Sequence, residues 1–110
     1  MDRGDLYLLS RVGGTETQRI DQSIMVVTPA RFNKVTQMPV VLPIVKPDQA
    51  IRTAGFAVSL AGSGATSVGV VRCDQPRVID MSQYVSHRVE KAPLAVVDEI
   101  MAKLNAIMVT

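Results

Sequence analysis

Apolar residues come along this chain in short clusters of four to six, each closed by glycine, proline or a polar run. That is the spacing of strands rather than of long helices. Segments 6–9 and 24–27 are strand candidates, separated by the polar, glycine-containing stretch 12–19. Pro29 then suits the opening of a brief helix, with Thr28 as its cap. Further strand candidates follow at 40–45, 56–60, 68–72 and 85–89, punctuated by Pro47, Gly62, Gly64 and Pro76. Several short strands at close spacing predict a small barrel or a strongly bent sheet. The end of the chain changes period. From Pro93 as first helical residue, Leu94, Val97, Ile100, Met101, Leu104, Ile107 and Met108 recur at steps of three and four, with Asp98, Glu99 and Lys103 between them. This predicts one amphipathic helix whose Met-rich stripe packs on the sheet. The fold class read from the pattern is mainly β with helices, an α+β chain.

Composition bounds the reading. With 110 residues, 47% of them hydrophobic, the chain is expected to form a single domain, 1–110, around one modest core. The net charge is only +2, but residues 29–80 hold six Lys/Arg against three Asp/Glu, whereas residues 1–28 hold three against four. A basic middle suits a polyanion, although the same charge also keeps a small domain soluble. Residues 1–5 are too polar for a secretory signal, and the longest apolar stretch, 40–45, is interrupted by Pro43. The expectation is a cytoplasmic protein without membrane contact. Cys73 is the one cysteine, which excludes an internal disulfide and a multi-cysteine zinc site within one chain. No Gly-rich nucleotide loop or paired-His motif is present, so neither cofactor nor metal is expected.

The most informative stretch is Val70-Val71-Arg72-Cys73-Asp74-Gln75-Pro76-Arg77. In a strand, residues two apart share a face, so Arg72 and Asp74 project together while Val71 and Cys73 face the other way, into the core. A carboxylate can take a proton from an attacking hydroxyl while a guanidinium holds a phosphate oxygen. By spacing alone the signal is weak, because such a pair on a strand is most often a solvated ion pair.

Longer blocks sharpen this. Residues 53–60, beginning Thr53-Ala54-Gly55-Phe56, the stretch Gly69-Val70-Val71-Arg72-Cys73-Asp74-Gln75-Pro76-Arg77, and Ile79-Asp80-Met81 together resemble the MazF/PemK family, which includes the plasmid toxins PemK and Kid. Met1-Asp2-Arg3-Gly4-Asp5-Leu6-Tyr7 resembles that family's opening, and Val27-Thr28-Pro29-Ala30-Arg31-Phe32-Asn33 the start of its first helix. The resemblance implies an SH3-like small barrel with an added sheet and a C-terminal helix, of the CcdB/MazF type. It implies a toxin of a type II toxin-antitoxin system: a homodimer that cleaves single-stranded RNA sequence-specifically and without metal, held in check by a cognate antitoxin with an acidic, partly disordered segment. Asp74 would be the general base on the ribose 2′-hydroxyl and Arg72 its partner at the phosphate. Asp5, Ala54, Phe56 and Val70 match positions lining the family's RNA groove.

The chain also departs from the family. Where the family shows Gly-His-Glu-Gln in the first loop, Thr15-Glu16-Thr17-Gln18 stands here, and the loop is one residue shorter. The loop histidine is absent, which shifts its task to Arg19 or Gln18, slows cleavage, or leaves a homologue that only binds RNA or an antitoxin. His87 lies in another segment. Val45-Lys46-Pro47-Asp48 replaces an RNA-contacting Thr-Ser-Gly-Gly stretch, making Lys46 an RNA-binding candidate of altered specificity. A gyrase poison like CcdB is the third reading. That group acts through a C-terminal tail containing tryptophan, and this chain has no Trp.

Overall fold

The computed structural model describes residues 1–13, 21–48 and 55–108. Among the described residues, seven strands, β1 (Asp5–Arg11), β2 (Gln22–Val26), β3 (Val40–Val45), β4 (Ala57–Ser59), β5 (Val70–Arg72), β6 (Arg77–Val78) and β7 (Tyr84–Lys91), are accompanied by helices α1 (Ala30–Thr36) and α2 (Leu94–Met108). Every ladder is antiparallel. The order across the sheet is β4-β5-β3-β2-β1-β7, and β6 also pairs with β3. β5 takes one end of β3, at Ile44 and Val45, and β6 the other, at Val40 and Val41. The expected mainly β architecture with a C-terminal helix is what forms.

The middle of the sheet is covered on both faces, so Ile24, Met25 and Val26 are buried in succession and β2 loses the alternation of a half-exposed strand. One face packs Leu6, Met25, Leu42, Val58, Val71 and Cys73 against Val96, Val97 and Ile100 of α2. The other gathers Leu9, Ile24, Val26, Val41 and Ile79. Burying a side chain of this size contributes about 1.5–3 kcal/mol, so these two clusters hold the fold.

Local expectations met three corrections. Thr28 does not cap α1: its Oγ1 donates to Asn33 Oδ1 at 2.6 Å and accepts the Val40 amide at 3.0 Å. The first free amide of the helix, Ala30 N–H, donates instead to Asp2 Oδ1 at 2.9 Å, because proline at the N-cap has no N–H and the chain start passes alongside. In α2, Leu94 and Met108 belong to the predicted stripe but are 74% and 71% exposed, whereas Val97, Ile100, Met101, Leu104 and Ile107 pack on the core. Finally, β6 carries no sequence pattern of its own. Two residues are too few for a period, and it exists because β3 offers a free edge.

Candidate active site

β5 is set by what lies beneath it. Gly69, at φ +127°, brings the chain onto β3 so closely that a Cβ there would lie 2.8 Å from Ile44 Cγ2. Val71 and Cys73 are then wholly buried against α2, and Arg72 between them is turned outward. Burial pushes the Cys73 thiol up to about 11, which removes it as a nucleophile. The expectation of a core cysteine holds.

Strand geometry does not carry Asp74 as far as expected. The strand ends at Arg72, and a turn closed by Gln75 N–H to Arg72 O at 3.4 Å folds Asp74 back toward it. Arg72 Nε then donates to Asp74 Oδ1 at 3.2 Å and Nη2 to Oδ2 at 2.8 Å. This is a two-pronged charge-assisted pair with side chains 19% and 25% exposed, sheltered yet open on one side. The carboxylate's hydrogen bonds hold the Arg72 guanidinium above its ordinary pKa, so it stays charged.

The other predicted residues distribute unevenly around this pair. Phe56 is 46% exposed and its carbonyl accepts the Cys73 amide at 2.9 Å, so it stands beside the turn as a surface aromatic rather than a core one. Val70, on the same face as Arg72, is only 8% exposed and offers little side-chain surface. Lys46 follows β3 and lines an open cavity of about 330 Å³ together with Val68 and Gly69. Asp5 is elsewhere: β1 lies three strand steps from β5. Its carboxylate, 9% exposed, accepts the Asp2 amide at 2.9 Å and pairs with Arg88 at 3.5 Å and Lys91 at 3.6 Å. Arg19 and Ala54 lie outside the described residues. His87 sits exposed on β7, at the far edge of the sheet.

The fold is that of a toxin class. The chain belongs to the PemK-like, MazF-like toxins of type II toxin-antitoxin systems, whose family model matches residues 2–108. It is 44% identical over 110 residues to the endoribonuclease PemK of Escherichia coli, covering 98% of this chain and 82% of that protein. It is also 30% identical over 109 residues to the endoribonuclease toxin ChpB of the same species, covering 97% and 93%. Among solved structures it resembles a MazE-MazF crystal structure from Deinococcus radiodurans, with a TM-score of 0.79, 26% identity and coverage of 98% and 95%. An endoribonuclease in complex with its cognate antitoxin, from a mycobacterial species, shares the fold at a TM-score of 0.76 and 17% identity, covering 100% and 97%. No helix among the described residues is long and apolar enough to cross a membrane.

Proposed function

We propose that this chain is an endoribonuclease toxin that cuts single-stranded RNA at a preferred sequence, without a metal ion. The observation that carries the reading is the sheltered, two-pronged Arg72–Asp74 pair. Asp74 takes the proton of a ribose 2′-hydroxyl on a lone pair that Arg72 leaves unused. The 2′-oxygen attacks the adjacent phosphorus, the bond to the 5′-oxygen breaks, and a proton from solvent completes the leaving hydroxyl. The products are a 2′,3′-cyclic phosphate and a free 5′-hydroxyl. Arg72 acts by charge, because a guanidinium is a reluctant proton donor and is well shaped for phosphate oxygens. Both roles are met by side chains, and neither calls for a metal.

Named endoribonucleases among the relatives support the activity, and a relative solved with its cognate antitoxin supports an antitoxin partner, to which we assign an acidic, partly disordered segment. We take the working form to be a cytoplasmic homodimer, with Phe56, Lys46, Val70, Asp5, Arg19 and Ala54 contributing to RNA binding. One departure favours a second reading, a homologue that binds without cutting: the first loop lacks the family's histidine. Incubating purified protein with mixed-sequence RNA in excess chelator separates the two. Cleavage is expected, leaving cyclic phosphate ends. Cleavage that appears only on adding magnesium contradicts the mechanism, and binding without cleavage in either condition supports the silent homologue.

A further inference from the structure

The Arg72–Asp74 pair is electrically closed, one guanidinium against one carboxylate at 2.8 Å. A polyanion therefore needs another cation on the same face. Ladder register identifies it, because residues opposite one another in a ladder project to the same side. Arg77 is the ladder partner of Val41, which packs in the cluster away from α2. Ile44 and Val71 pair and point toward α2, so Arg72, next in β5, rises on the same face as Arg77. The two arginines border one edge of β3, with Arg77 beside Val41 and Arg72 level with Pro43. That is two residues apart, or about 7 Å along the strand, comparable to one nucleotide of an extended chain. Arg77 is exposed, and its side chain has no hydrogen bond or ion pair among the described residues.

The surface beside Arg77 is hollow. Arg77 lines a cavity of about 200 Å³ together with the apolar Ile24, Val41 and Pro43, with Gln22, Gln83 and Tyr84, and with Asp80, whose Oδ1 is already engaged by the Ser82 amide at 3.0 Å and hydroxyl at 2.8 Å. Gln22 and Gln83 are exposed, and their side-chain amides make no hydrogen bond among the described residues. An aromatic ring, apolar side chains and two amides able both to donate and to accept make up the chemistry that holds a nucleobase. We infer that Arg77 and this hollow form a nucleotide subsite next to the cleavage point, in which Arg77 binds a phosphate one step from the scissile one and Gln22 and Gln83 read the base. The inference rests on the RNA-cleaving reading of Arg72 and Asp74.

The test separates the two. In an Asp74→Asn background, which binds without cutting, Arg77→Ala is expected to weaken binding of a mixed-sequence single-stranded RNA about tenfold and to lower the salt slope by about one. Arg77→Lys should restore the slope. In the protein with Asp74 intact, Gln22→Ala combined with Gln83→Ala should change the preferred base at one position of the mapped cut sites. All four residues are exposed or half-exposed, and circular dichroism checks that each variant is folded. If the unaltered protein cuts RNA while Arg77→Ala binds with unchanged affinity and slope, or the double glutamine variant cuts at the same sites, the subsite is overturned alone. If the unaltered protein neither binds nor cuts RNA, the reading of Arg72 and Asp74 falls and the subsite with it.

Discussion

Arg72 and Cys73 are neighbours in the chain and stand on opposite sides of the sheet, the arginine side chain 19% exposed and the cysteine 0%. That division makes the thiol chemically silent, as its pKa of about 11 reflects. In native protein at pH 8, a thiol reagent should label Cys73 only at the rate of unfolding. Rapid labelling without denaturant would show that the floor beneath the site is open. Cys73→Ser, which places a hydroxyl among apolar partners, should cost about 1–3 kcal/mol in urea unfolding.

Asp74→Asn keeps the size of the side chain and removes its basicity. Single-turnover cleavage should fall by about 10²- to 10⁴-fold, with RNA affinity little changed. Full residual activity would move the base elsewhere in the molecule.

α2 supports the site from below, and Ile100 is its fully buried anchor against the cluster containing Val71 and Cys73. Ile100→Ala should lower stability by about 2–5 kcal/mol, the range for truncating a buried aliphatic side chain. Chemical denaturation reads it directly. A loss well below that range would mean that the helix collapses onto the gap.

Glu90 straps the 60s loop to β7. Its Oε2 accepts from Ser67 Oγ at 2.6 Å, the Ser67 amide at 2.7 Å and Thr66 Oγ1 at 2.7 Å, and Oε1 accepts the Thr66 amide at 3.1 Å. The hydroxyls, more than the amides, draw the carboxyl down to about 2 from an ordinary 4.5. A depressed carboxyl adds stability that is full above its unfolded pKa and is lost as pH falls through the folded one. The gap in melting temperature between the protein and Glu90→Gln should thus be constant at neutral pH and shrink between about 4.5 and about 2. A gap that stays constant through that window would contradict the strap.

Asp5 distinguishes a structural task from a binding one. Its carboxylate is nearly buried between the Asp2 amide, Arg88 and Lys91. Asp5→Ala should destabilise the fold by about 1–3 kcal/mol, because it leaves those donors without their acceptor. Titrating RNA well below the melting temperature tells whether affinity also falls, as a place in the RNA groove would require.

The period of the chain by itself determined the strand content, the C-terminal amphipathic helix, the burial of Val71 and Cys73 and the outward aim of Arg72. Each depends on spacing between near neighbours, and a period of two or of three to four residues is written locally. The same spacing placed Asp74 near Arg72. Only the folded turn at Gln75 decided that both carboxylate oxygens meet the guanidinium. The meeting of β5 and β6 along one edge of β3, which sets Arg77 on the face of Arg72, depends on which strands find one another across 25 to 38 residues of chain. So do the capping of α1 by Asp2 and the capture of Asp5 by β7. These contacts join residues far apart in the chain. No local propensity encodes them, because their energy exists only once the sheet has brought the partners within hydrogen-bonding distance.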